Sequence, residues 1–197
     1  MIYTWNKSVA AVVALLYLVA LYLVVFHFNP WFNATLYRHI AMQFPLLILL
    51  GCIAGYFLFR DHLESNSISI HFSVIFFFIG SLAFWMLPVS IDSAAINNKV
   101  DMLLSMNLWI SGLLLASQFR KMPPELKFTF LFFLSSMIFI TGAVLGQLNL
   151  LLCGAYTLLQ QKILGTYLFK GGIVLLVFSV IYLGTKLARI KPEVLSI

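Results

Sequence analysis

The chain has 197 residues, of which 62% are hydrophobic and 9% charged, with a formal net charge of +6 and a mean hydropathy of +1.03. Soluble domains carry roughly 25% charged residues, so this composition excludes a soluble enzyme and a free nucleic-acid-binding domain and points to an integral membrane protein. At roughly 20 residues per span, about six helices fill the chain, and the positive charge reads as topology rather than as a nucleic-acid footprint.

The first apolar run covers residues 8–28. It is too long for the apolar core of a signal peptide and no A-x-A-like site follows, so a retained span is expected, ending at Asn29-Pro30. The second run, residues 39–59, stops at Arg60-Asp61, and residues 60–69 form a polar loop. The third run covers residues 71–91, with a turn over residues 92–99. The fourth covers residues 100–118 and is broken by Arg120-Lys121-Met122-Pro123-Pro124-Glu125. The fifth covers residues 128–150, and the sixth covers residues 166–188 before a basic tail. The expected fold is an all-α polytopic transmembrane helix bundle of about six helices, in one integral membrane domain over residues 1–197.

Cationic residues orient these spans. Lys7, Arg60, Arg120, Lys121, Lys127, Lys186, Arg189 and Lys191 fall on one side, and Arg38, Lys99, Lys162 and Lys170 on the other. The excess places both termini in the cytoplasm of a multi-pass protein of the cell (plasma or inner) membrane. Gly51-x-x-x-Gly55 and Gly142-x-x-x-Gly146 are spaced for close helix approach, and they fall in opposite halves of the bilayer, so they need not pair with each other. Pro45 and Pro88 each remove a donor within a span, which frees carbonyls near Ala41 and Phe84.

Polar and soft residues gather at the non-cytoplasmic ends of the spans. Met102 and Met106 are four residues apart, and His39 and Met42 three apart, so each pair shares a helical face. Thioether and imidazole donors suit Cu(I). The candidate ligands are therefore His39, Met42, Met86, Met102 and Met106, supported from behind by Asp101 and Gln43. Against this stands the use of methionine as an apolar filler and of interfacial histidine as an anchor beside Tyr37 and Arg38. Asp92 and Asp101 are expected to cap the helices flanking their turn. Cys52 and Cys153 make no disulfide framework, and Cys153 stands as a lone thiol at the same end.

Several chemistries are missing from the sequence. There is no H-E-x-x-H motif and no G-x-x-x-x-G-K-[ST] loop. A rhomboid-like protease needs a histidine on a late helix, and none follows residue 71. Haem ligation would rest on His27 and His39, both at the membrane edge. No catalytic residue is assigned, and the chain is not expected to be an enzyme.

Three blocks carry a resemblance. They are His39-Ile40-Ala41-Met42-Gln43 with Pro45-Leu46-Leu47; Trp85-Met86-Leu87-Pro88 followed by Asp92-Ser93-Ala94-Ala95 and Asn97-Asn98-Lys99-Val100-Asp101; and Tyr156 with Gln160-Gln161-Lys162-Ile163-Leu164-Gly165. In this order they resemble the H-M-x-x-H helix, the W-H-x-P and H-x-x-x-H elements and the D-Q-x-x-x-G element of the CtaG-type cytochrome c oxidase assembly factors. The resemblance spans residues 39–165. It implies a polytopic scaffold linked to copper insertion into a respiratory oxidase. The metal histidines of that family map onto His39, Gln43, Met86, Asp101 and Ser105, of which only His39 is a histidine here. The expected function is thus a CtaG-like accessory protein for assembly of, or copper handling for, a respiratory copper oxidase. Its expected partners are the lipid bilayer and other membrane subunits such as a terminal oxidase, without nucleic acid. A non-catalytic subunit of a larger membrane-embedded complex is the alternative. A small-molecule transporter ranks below both, because ionisable groups near the midplane are few.

Overall fold

Long apolar stretches must satisfy their backbone internally within a bilayer, and helices do so without outside partners. The computed structural model describes residues 7–59 and 67–194. Its elements are α1 (Lys7–Tyr22), α2 (Asn29–Asn33), α3 (Phe44–Leu58), α4 (Ile68–Trp85), α5 (Pro88–Ile96), α6 (Asn98–Phe119), α7 (Pro124–Gln147) and α8 (Leu158–Val194). Wider π-helical turns continue α1 over Leu23–His27 and lead into α3 over Arg38–Gln43. The protein is all-helical, and no strand occurs among the described residues.

Five segments are long and apolar enough to cross a membrane: Arg38–Leu58, Ile68–Trp85, Asn98–Phe119, Pro124–Gln147 and Leu158–Thr185. The first apolar helix, Val12–His27, is shorter. Most of the loop expected at residues 60–69 lies outside the described residues, as do His62 and Arg60.

Glycines set the helix pairs. Lipid chains are as apolar as leucine, so close van der Waals packing holds helices together in a bilayer. A Cβ added at Gly51 or Gly55 would strike the Trp109 or Leu113 carbonyl oxygen, and one at Gly112 would strike that of Ile48. These contacts lock α3 and α6 side by side, running parallel. A Cβ at Gly142 would meet the backbone nitrogen of Phe169, one at Gly165 that of Gly146, and one at Gly172 that of Phe139, 2.6 Å away. Rising numbers on α7 thus meet falling numbers on α8, and the pair is antiparallel. Each glycine motif has its own partner helix, and the two motifs do not meet.

The central pair is α3–α6: 44% of the window is buried in each, against 17% in α7. Tyr17 ties α1 to this pair, accepting from Trp109 Nε1 at 2.6 Å and donating to the Leu50 carbonyl at 2.9 Å. Trp85 Nε1 donates to Asn107 Oδ1 at 3.0 Å and ties α4 to α6. Tyr37 and Tyr167, with rings tilted against each other, and the Phe130 ring set edge-on to Phe78 and Phe119, join the α7–α8 pair to the rest.

Several boundaries depart from the sequence expectation. The third span stops at Trp85, and Pro88 opens a separate helix instead of kinking one, because its fixed φ suits a first helical turn. The Phe84 carbonyl is not freed: Leu87 N donates to it at 3.2 Å. Residues 92–96 are helical rather than a turn. Asn97 breaks the chain and caps α6, accepting from Lys99 N at 2.9 Å, so neither Asp92 nor Asp101 is the cap. The last helix begins at Leu158 rather than 166.

Candidate functional site

The N-terminal ends of α3, α6 and α8 and the C-terminal end of α7 meet at one end of the bundle. The polar residues are gathered here. Pro45 has no N–H to offer the Ala41 carbonyl, and the chain just before it widens into the π-helical turn Arg38–Gln43. Such turns are frequent at functional sites. This one buries His39, Ile40 and Gln43 together.

A chain of hydrogen bonds runs out from His39. Its Nδ1 lies 2.8 Å from Gln43 Oε1. Gln43 Nε2 donates to Asn29 Oδ1 at 3.3 Å, which fixes the Gln43 amide with its oxygen toward the imidazole. Nδ1 must then carry the proton, and Nε2 presents a lone pair. Asn33 Nδ2 donates to Asn29 Oδ1 at 3.2 Å and to Asp101 Oδ2 at 3.4 Å. Residues from α2, the π-helical turn and α6 are thereby joined.

This network is incomplete. His39 Nε2, Asp101 Oδ1, Ser105 Oγ and Asn33 Oδ1 are all buried without a hydrogen-bond partner. Orphaned buried polar atoms cost about 1–3 kcal/mol each. Three of these atoms belong to the network, and Ser105 is buried one turn beyond Asp101 on α6; together they call for an occupant that offers positive charge or protons: a cation or ordered water. The donors are one imidazole nitrogen and several oxygens, which suit a borderline ion better than Cu(I). Among the described residues, no three His, Cys, Asp or Glu side chains come together in an arrangement that could hold a metal.

The thioethers lie elsewhere. Met42, Met102 and Met106 are 39%, 45% and 52% exposed and face away from His39. On α6 the inward stripe is Asp101, Leu104, Ser105 and Leu108, so Met102 and Met106 fall on the opposite face. The structure therefore does not bring His39, Met42, Met102 and Met106 into one ligand set. Met86 is half-buried and lines an apolar cavity of about 210 Å³ shared by α5, α7 and α8, and Cys153 lines the same cavity. Two sulfur donors thus face one apolar space. Leu36 and Ile40, which flank His39 in sequence, also border it.

The segment between α7 and α8, residues 148–157, straps across this end. Asp92 accepts from Gly154 N at 2.7 Å and Ala155 N at 3.0 Å. Gln161 accepts from Leu152 N at 3.1 Å and donates to the Cys153 carbonyl at 3.2 Å. Tyr156 donates to the Asn33 carbonyl at 3.4 Å. Burial and the Asp92 charge push the Cys153 thiol up to about 11. Burial, with Asp101, Cys153 and Asp92 nearby, pushes the Tyr156 phenol up to about 12.

Four of the positions singled out by the resemblance, His39, Gln43, Asp101 and Ser105, are buried at this end, and Met86 stands apart at the sulfur-lined cavity. His27 is exposed, and His71 is buried at the start of α4, toward the opposite end. Sequence reasoning missed Asn29 and Asn33. The Asn29-Pro30 pair signalled only a helix stop, although two amides four residues apart in an apolar chain were a cue. No protein-family model matches the chain, and neither a curated protein nor a solved structure matches it.

Proposed function

We propose that this chain is a CtaG-like accessory protein of the cell membrane that serves the assembly of a respiratory copper oxidase, with six spans and both termini in the cytoplasm. The observation that carries the reading is one buried hydrogen-bond network that joins His39, Gln43 and Asp101 and carries orphaned atoms, with Ser105 buried one turn beyond Asp101. These are the positions that correspond, in the ordered resemblance, to metal histidines. In this reading His39 Nε2 and Asp101 Oδ1 hold the ion, and Gln43 and Asn29 fix the imidazole tautomer behind it. Copper, where handled, is met by the sulfur pair Met86 and Cys153 in the neighbouring cavity. Six spans require Lys7–His27 to cross with the other five, and the 16 residues of α1 plus the 5 of its π-helical turn supply about 31 Å at a rise of roughly 1.5 Å per residue.

A second reading, a non-catalytic subunit docked within a larger oxidase complex, is favoured by the outward methionines. Met42, Met102 and Met106 offer a deformable apolar surface to a partner. Gentle detergent extraction with identification of co-purifying chains tests both readings. An assembly factor leaves with oxidase subunits in substoichiometric amounts, whereas a structural subunit leaves at a fixed one-to-one ratio. Absence of oxidase chains would overturn both.

A further inference from the structure

The opposite end of the central helix pair holds a second feature. Where α3 and α6 run out, a cavity of about 270 Å³ opens, lined by Gly55, Tyr56, Phe59, Ser117, Arg120 and Lys121. No carboxylate lines it among the described residues. The Arg120 guanidinium stands over the Tyr56 ring, 5.4 Å from its centre, which holds the charge at the cavity wall. Both helices end here, and their carbonyl termini contribute roughly −0.5 charge each. Among the described residues two full cations outweigh them, leaving about one net positive charge.

The position of the cavity decides what this charge can meet. Arg38–Leu58 and Asn98–Phe119 are apolar spans, so residues just past Leu58 and Phe119 lie at headgroup depth. Deeper along the same two helices, Ile53 and Ile110 present exposed apolar side chains. A basic hollow at headgroup depth above an apolar wall matches a phosphate attached to acyl chains.

We infer that this cavity binds the phosphate headgroup of an anionic phospholipid, with Arg120 and Lys121 as its cationic contacts and the acyl chains along α3 and α6. The full-length protein in mild detergent, probed by native mass spectrometry with phosphatidylglycerol or phosphatidylcholine of identical chains, tests this. Phosphatidylglycerol should be retained about tenfold more than phosphatidylcholine. Arg120→Gln with Lys121→Gln should abolish that preference, while Lys99→Gln, at the other end of α6, should keep it. Both cations are exposed, so folding should survive; the circular dichroism spectrum verifies this. A preference unchanged in the double variant overturns the proposal. So does displacement of the lipid by millimolar inorganic phosphate, which would make the cavity a site for free phosphate.

Discussion

Replacing Gly112 by alanine should loosen the central helix pair. The new Cβ would lie 2.9 Å from the Ile48 carbonyl carbon and 3.0 Å from its Cα, with the carbonyl oxygen closer still. Carbon atoms rest at about 3.5–4.0 Å, and none of these backbone atoms can rotate away. The helices must therefore separate by roughly 0.5–1 Å, a gap that forfeits about a quarter to a half of each dispersion well along the interface. In a bilayer that packing is the main attraction between helices, so the cost should reach about 1–3 kcal/mol. Gly51→Ala should behave alike, because its Cβ would strike the Trp109 carbonyl. Gly80, with nothing within 4 Å, is the control. There alanine should be neutral or stabilise by up to about 1 kcal/mol through helix propensity. Unfolding by SDS in mixed micelles, followed by circular dichroism, reads all three. Equal midpoints for Gly112→Ala, Gly51→Ala and Gly80→Ala would refute the close-approach argument.

Two further outcomes concern the strap. Asp92→Asn removes a carboxylate that accepts from two backbone N–H groups, so local opening of residues 148–157 should become easier by about 1–3 kcal/mol. Amide hydrogen exchange at Gly154 and Ala155 should accelerate, with no change in α3 or α6; unaltered exchange at those two amides would remove Asp92 from this role. At alkaline pH the buried thiol and phenol should matter. Cys153 is raised from 9.0 to about 11 and Tyr156 from 10.0 to about 12. The folded state therefore keeps both protons longer than the unfolded chain does. Their contribution is fully present below pH 9 and is lost as pH rises toward 11 and 12. The unfolding midpoint should fall across that window, and Cys153→Ser should flatten its lower part. A wild-type midpoint that stays level from pH 9 to 12 contradicts the assignment.

Five of the six expected spans were legible because about twenty apolar residues in a row have few other uses. Their ends were less so. Apolar residues continue from Phe84 through Leu87 and beyond Pro88, so hydropathy alone hid a break that the proline places at Trp85. At α8 the opposite happened: Gln160, Gln161 and Lys162 looked like loop, yet Gln161 turns inward to hold the strap and helix runs through all three. Inside a bilayer the usual pattern is inverted, and the polar residue marks the protein interior. His39, Gln43, Asp101 and Ser105 obey this and are buried. Methionine carries no such signal, since lipid and protein suit it equally. Nothing in the spacing of Met102 and Met106 revealed that Asp101 and Ser105, one residue earlier in each case, take the inward face. Gly51, Gly55, Gly142 and Gly146 were recognised as packing positions, but their partners were not, because Gly112, Gly165 and Gly172 do not fall into the same four-residue repeat.

The central claim is that the His39 network and the Met86–Cys153 cavity handle a metal ion. It is tested most directly by elemental analysis of the gently purified protein, wild type beside His39→Ala, Met86→Leu and Met106→Leu. The account predicts about one metal ion per chain, lost in His39→Ala or in Met86→Leu and retained in Met106→Leu, whose side chain faces outward. Wild-type protein free of metal, or metal lost only in Met106→Leu, would contradict it.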